Sequence, residues 1–365
     1  MTTTTDRIDL VGLVPDRAAD LLQAHFEARG VAGYRVRQTL SWLYDRVAFS
    51  FEEMTELPAV ERHALAAAFE LTAPATANVQ VSADGTAKHL WRMSDGELVE
   101  SVLIPGGDRL TLCLSSQAGC AMACVFCATG WSGYRRNLTA GEIVAQYRGA
   151  RRWATDHEYG PITNIVYMGM GEPLMNRGPV LDSLTILNHG YDVGARRITV
   201  STVGIVPGIE ELAERPEQFR LAISLHAPTH ELRRKIVPVE RKYPIGVLLE
   251  ALRKFEAMGG RRITFEYVMI DGINDDPALA DPLAAIARPF HAHVNLIPFN
   301  PVPGTGWAPS PARRIRAFAA RLEAAGVNAT VRTPRGQDIA AACGQLAAEH
   351  EMKPPKPFIE LTATR

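Results

Sequence analysis

Cys120-Ala-Met-Ala-Cys124-Val-Phe-Cys127 is a C-x3-C-x2-C run that follows directly on a strand-like stretch at 110–115. Three thiols this close in one loop can converge on a soft metal centre. Structural zinc takes four ligands, often as two separated pairs, and no second C-x2-C pair stands elsewhere in the chain. A cubane iron–sulfur cluster ordinarily takes four cysteines; three leave one iron with an open position for a small molecule. The chain has five cysteines, the other two being Cys113 and Cys343. An odd number argues against a disulfide framework and for a reducing compartment.

Outward from this run the chain alternates strand and helix. Strand-like runs recur at 110–115, 164–168, 197–201, 220–225, 263–270 and 294–298, with helical periodicity at 140–153, 180–189, 245–258 and 277–289. A last helix and strand follow at 312–325 and 329–333. Such alternation implies parallel strands joined by right-handed crossovers. Six units fall short of the eight of a closed barrel, so an open, partial (βα)6 barrel is expected, spanning 109–350, with its site at the carboxyl ends of the strands. Upstream, apolar spacing predicts helices over 17–29, 34–48 and 58–69, an accessory helical domain within 1–75. From 78 to 103 the period falls to two, with Asp84-Gly85 and Asp95-Gly96 between runs; a β-hairpin extension is expected over 76–108. The proline-rich end, MKPPKPF within 351–365, reads as a loose tail.

Composition narrows the function less. At 47% hydrophobic and 22% charged the chain matches ordinary globular proteins. It has no apolar run of about 18 residues to span a membrane. The start, MTTTTD, lacks the basic-then-apolar pattern of a signal peptide, so a cytoplasmic location is expected. Residues 1–100 hold 9 Lys and Arg against 15 Asp and Glu, which leaves a balance of +5 for 101–365 within the overall −1. A mildly basic catalytic part suits a phosphate-bearing substrate, and solvated helix faces explain it equally well.

The cysteine triplet, with aromatic Phe126 before its last member, has the radical S-adenosylmethionine signature, in which the open iron chelates the cofactor's amino and carboxylate groups. Supporting residues lie at later strand ends. Gly169-Met170-Gly171-Glu172-Pro173 offers close backbone approach and a carboxylate near the cofactor's amino group, or else a simple turn. Ser201 in VSTVG and Ser224 in AISLHAP either reach the cofactor or cap strands. His226 reads as a wall residue or a ligand contact. The Asn300 amide reads adenine or ribose, or holds the turn between two prolines. Taken alone, Cys343 is a small buried hydrophobe.

The runs CLSSQAGCAMACVFC, ITNIVYMGMGEPL, AISLHAP, FEYVMIDGIND, NLIPFNPVPG and RGQDIAAACGQLA together resemble, in order, segments of the RlmN/Cfr family of RNA methyltransferases. The likeness covers roughly 85–350, and the helical amino terminus is similar to that family's accessory domain. It implies a [4Fe-4S] cluster on Cys120, Cys124 and Cys127 and two S-adenosylmethionine molecules per turnover. By resemblance, Cys343 carries a methyl group taken from the first. The second is cleaved at the cluster, and its radical activates the S-methyl group to add to adenine. Cys113 then attacks the sulfur of Cys343 and frees the methylated base as a disulfide forms. Glu100 in ELVESVLIP matches the family's proton acceptor, and Gly171, Glu172, Ser201, Ser224, Leu225, His226 and Asn300 match its cofactor-binding positions. A second pair of cysteines makes chemical sense, because carbon 2 of adenine is electron-poor and cannot attack a sulfonium methyl, whereas a carbon radical can add to it.

The implied partners are 23S rRNA, tRNA and an electron donor such as a flavodoxin system, with the chain acting as a monomer. The target base must leave its stack. Arg135, Arg136, Arg196, Arg197, Arg233, Arg234 and Lys235 are candidates for the RNA path near the barrel mouth, or surface ion-pair residues. Two rival readings stay open: Cfr-like methylation at carbon 8, and a non-catalytic iron–sulfur RNA-binding protein. STVG in place of Ser-Thr-Ser-Gly, and Trp131-Ser132-Gly133-Tyr134 after the cluster loop, depart from the family's wording without removing a matched residue.

Overall fold

The computed structural model describes residues 7–260, 262–348 and 350–354; the MTTTTD start and the expected tail from 355 onward lie outside the described residues. The chain opens with a short strand, β1 (Ile8–Asp9), and three helices, α1 (Pro15–Ala28), α2 (Tyr34–Tyr44) and α3 (Ala59–Ala68). A second short strand, β2 (Phe69–Glu70), returns to pair in parallel with β1. Ala18, Leu22 and Phe26 form one buried stripe on α1, the arrangement expected of an amphipathic helix. Asp9 ties the unit shut, its Oδ1 accepting from Val11 N and Thr72 N, each at 3.0 Å. The helix expected over 34–48 ends at Tyr44, and the chain then turns through Val47 at φ +56°.

Three antiparallel strands follow, β3 (Ala75–Val81), β4 (Ala87–Arg92) and β5 (Leu98–Gly106). Both expected turns are present, and their aspartates make the turn bonds such residues favour: Asp84 accepts from Thr86 N at 2.9 Å and Asp95 from Glu97 N at 3.1 Å. Next, β6 (Arg109–Cys113) pairs with β5 and leads into the cysteine loop, bracketed by β7 (Gln117–Gly119), α4 (Ala128–Ser132) and β8 (Tyr134–Asn137). Helix α5 (Ala140–Asp156) starts at a reciprocal cap. The Thr139 hydroxyl accepts from Glu142 N at 3.1 Å, and the Glu142 carboxylate accepts from Thr139 N at 2.9 Å.

The remaining chain alternates: β9 (Asn164–Tyr167), α6 (Arg177–Thr185), β10 (Ile198–Thr202), α7 (Val206–Ala213), β11 (Arg220–Ser224), α8 (His230–Ile236), α9 (Ile245–Ala257), β12 (Ile263–Met269), α10 (Ala280–Ala287), β13 (His293–Pro298), α11 (Ala312–Ala324) and β14 (Ala329–Val331). One sheet of ten strands results, in the order β14-β13-β12-β11-β10-β9-β6-β5-β4-β3. From β6 to β14 the pairing is parallel, and from β6 to β3 antiparallel. The two end strands do not pair, so the expected open barrel is the architecture found. The hairpin extension prolongs the barrel sheet itself rather than forming a sheet of its own.

Arginines of α5 fasten the helical unit to the barrel. Buried Arg148 donates to the carbonyls of Leu43 (3.0 Å) and Ala48 and to Tyr191 Oη (2.7 Å). Arg151 reaches the Asp45 carbonyl at 3.0 Å, and Arg152 the Val47 carbonyl at 3.1 Å. Among the described residues, no helix is long and apolar enough to cross a membrane.

Candidate active site

The cysteine loop is shaped by backbone close approach. A Cβ on Gly119, at φ +73°, would lie 1.8 Å from the Gly133 carbonyl oxygen, the same carbonyl that accepts from Cys120 N at 2.9 Å. Only glycine fits there. Cys127 caps α4, and Ala123 between the first two cysteines is left-handed at φ +53°. Cys120, Cys124 and Cys127 line one wall of a cavity of about 160 Å³ at the carboxyl ends of the strands. Among the described residues no three Cys, His, Asp or Glu side chains are grouped so as to hold a single metal ion. Burial pushes Cys120 up to about 12 and raises Cys124 and Cys127 as well. Thiols so buried stay protonated unless a cation holds them as thiolates, which fits the donor set to an iron–sulfur cluster.

The same cavity is lined by Gly171, Glu172, Ser201, Ser224, His226 and Asn300, six of the seven expected cofactor positions. Gly171, at φ +96°, could not carry a Cβ, which would come within 2.5 Å of Gln117 Cβ. The Glu172 carboxylate accepts from Leu174 N (3.0 Å) and Val203 N (2.8 Å), and burial lifts it to about 7. Ser201 Oγ and Ser224 Oγ face each other at 3.5 Å. His226 Nδ1 accepts from Val268 N at 3.1 Å, which leaves the ring proton on Nε2; burial lowers the ring to about 3, so it is neutral. His226 and His230 have the spacing of a zinc-ligand pair, yet they diverge: His230 Nδ1 contacts the Glu240 carboxylate at 2.7 Å. Leu225, the seventh position, does not line the cavity. Its carbonyl accepts from Arg233 Nε at 3.1 Å.

Cys113 and Cys343 come together. Both line a second, smaller cavity of about 100 Å³, which also touches Cys127 and Asn300. Cys113 is buried and Cys343 exposed; burial, then the nearby Cys343, push Cys113 up to about 12, and Arg332 pulls against them. The Cys343 carbonyl accepts from Asn300 Nδ2 at 3.0 Å, so Asn300 holds the turn that carries this cysteine. Glu100 lies apart from both cavities, lining a third with Lys88 and Gln345.

Two families are visible in the chain. Residues 114–281 match the radical SAM superfamily, and residues 9–71 match the ribosomal RNA large subunit methyltransferase N-terminal domain. A "Probable dual-specificity RNA methyltransferase RlmN" from Gemmatimonas aurantiaca is 52% identical over 343 residues, covering 93% of each chain. The chain belongs to the RlmN family. The "Dual-specificity RNA methyltransferase RlmN" of Halorhodospira halophila is 46% identical, with 94% of each chain covered. A solved radical SAM methyltransferase from Sphaerobacter thermophilus superposes with a TM-score of 0.89 at 47% identity, over 94% of this chain and all of that one. Membership of the RlmN family makes this chain a radical S-adenosylmethionine enzyme that methylates RNA, and implies an iron–sulfur cluster together with that cofactor.

Within this RlmN-family site, several basic residues expected along the RNA path are placed elsewhere. Arg233 is wholly buried, paired with Glu240 and donating to the Val203 carbonyl at 2.5 Å; it braces the loop behind the cavity. Arg196 and Arg197 precede β10 and so stand at the amino ends of the strands, opposite the cavity. Arg136 is paired with Asp95 (2.5 Å) and Glu142 (2.8 Å), and Arg135 with Glu97 (3.4 Å). Arg234 and Lys235 are exposed, with Lys235 3.5 Å from Glu231. Sequence reading passed over Glu266 and Arg332, which both line the larger cavity. Glu266 is 4% exposed, with Oε1 accepting from Asn295 at 2.9 Å and Oε2 without a partner. A carboxylate inside the apolar run ITFEYVMI was the available signal.

Proposed function

We propose that this RNA methyltransferase places a methyl group on carbon 2 of adenine, in 23S rRNA and in tRNA, by way of a methylated Cys343. The observation that carries the reading is the meeting of Cys113 and Cys343 in one small cavity beside Cys127. Cys120, Cys124 and Cys127 would hold an iron–sulfur cluster that, together with S-adenosylmethionine, would supply the radical chemistry. Glu172, Ser201 and Ser224 line the cavity together with those thiols and would bind the cofactor's polar groups. Exposed Cys343 is the thiol open to methylation, and buried Cys113 is kept from that fate until it attacks the Cys343 sulfur. Its burial disfavours the thiolate, so Cys113 reacts only once a partner sulfur is close. Disulfide formation then requires a reductant before the next turnover, and the reductive cleavage requires an electron donor of the flavodoxin kind.

The test is anaerobic turnover by cluster-reconstituted protein with labelled S-adenosylmethionine, a 23S rRNA fragment and tRNA, read by mass spectrometry of digested nucleosides. 2-Methyladenosine from both RNAs is expected. 8-Methyladenosine would overturn the carbon-2 assignment, and labelling of one RNA alone would remove the dual specificity that the relatives' names carry. Cys343→Ala should abolish transfer, while Cys113→Ala should accumulate a covalent protein–RNA adduct on denaturing gels. Full turnover by either variant would sink its assigned role.

A further inference from the structure

The Glu100 carboxylate is engaged from two sides. Oε2 accepts the backbone N–H groups of Ala347 and Ala348, each at 2.9 Å, and Oε1 meets the Lys88 ammonium at 3.0 Å. The side chains of this ion pair are 6% and 11% exposed. Among the described residues, His350 is the other titratable group facing Glu100 from the same segment; its Nε2 contacts the Leu98 carbonyl at 3.2 Å, with Glu97 beyond it at 3.9 Å. Ala347 and Ala348 belong to the stretch that carries Cys343, and a second carboxylate ties that stretch upstream. Asp338 accepts from Ser82 Oγ at 2.6 Å and from Ala83 N at 3.2 Å. Cys343 therefore rides on a span pinned at both ends to the antiparallel strands and their turn. The Glu100 end opens on a cavity of about 380 Å³.

We propose that Lys88 and Glu100 form a latch that positions the Cys343 thiol, and that neutralising the Glu100 carboxylate opens it. Hydrogen bonds to an ionised acceptor are roughly twice as strong as neutral ones, and a neutral Glu100 would leave the Lys88 charge buried and unpaired. The inference rests on the role proposed above for Cys343. Neutralising the carboxylate loosens Ala347 and Ala348 and so frees the span that carries Cys343. Lys88 and Glu100 are positioning residues in this respect, acting on Cys343 through the backbone.

Hydrogen–deuterium exchange on the cluster-loaded full chain, without RNA, tests the latch, together with the rate at which a bulky maleimide alkylates Cys343. Glu100→Gln and Lys88→Met should each speed exchange at the Ala347 and Ala348 amides about tenfold and speed alkylation, while α5 exchanges as in the wild type. Asp338→Asn should loosen the upstream end and leave those two amides protected. Wild-type exchange and alkylation in both latch variants would overturn the proposal, as would faster exchange spread evenly through α5 and the span. Failure of the wild-type chain to methylate RNA would overturn the functional reading and leave these exchange results unaffected.

Discussion

His89 sits on β4 with no exposed surface, stacked on Trp91 at 5.0 Å and 3° and edge-on to Trp153 at 5.0 Å. Neither ring nitrogen finds a hydrogen-bond partner among the described residues. Burial, reinforced by His157, lowers the ring from its ordinary 6.5 to about 4. Because the unfolded chain takes up this proton first, stability is fully present above 6.5 and falls as pH drops toward 4, by about 2 kcal/mol at pH 5. His89→Phe keeps the stacking and should flatten the acid limb of a melting-temperature profile between pH 7 and 5; an unaltered limb would mean that other groups set it. Side-chain roles were only partly legible at this scale. The cysteine triplet could be read from coordination chemistry, whereas Arg233 and Arg234 are alike in sequence and opposite in burial. Their difference is set by which face of α8 turns toward Glu240.

Helix α5 illustrates what an element does beyond its own hydrogen bonds. Its Thr139 cap should be worth about 1 kcal/mol, as capping threonines usually are. Arg148 should matter more, since Arg148→Met would leave two buried carbonyls and the Tyr191 hydroxyl short of a donor, at about 1–3 kcal/mol for each group left unsatisfied. Limited proteolysis of that variant should cut within 45–50 before the barrel is touched; resistance equal to wild type would show that the other arginines suffice. Long periodic helices such as α9 and α11 were legible from apolar spacing. The 8-residue α7 and 7-residue α8 were not, because two turns give too few positions for a period to stand out; α10, also 8 residues, was legible because helical turns at Pro277–Leu279 and Arg288–Phe290 lengthen it. The β7–β8 ribbon was hidden for a similar reason, being 3 and 4 residues long.

For the whole molecule, polarity along the barrel matters more than net charge. Arg196 and Arg197 are exposed and lie at the end away from the cavity, so Arg196→Glu with Arg197→Glu should leave RNA affinity and its salt dependence unchanged. A slope reduced by about one per arginine would put RNA at that end instead. The parallel barrel was legible because strand and helix alternate in the chain. That the hairpin strands join the same sheet was not, because their pairing with β6 depends on which edge of the barrel is left open. The approach of Cys113 to Cys343 was equally invisible to spacing, since the first ends β6 and the second follows β14.

The span that carries Cys343 leaves β14, at one edge of the open sheet, and is tied to Ser82, Ala83 and Asp84 in the turn between β3 and β4 and to Glu100 on β5. It thus crosses the side of the barrel where further strands would otherwise stand, like a removable stave in a cask. A cask with every stave fixed is filled only from the top, with cargo small enough to drop in. One with a detachable stave can be loaded from the side, by a single nucleotide still attached to its strand on both sides. On the latch proposal, opening this stave and moving the reactive sulfur are one event.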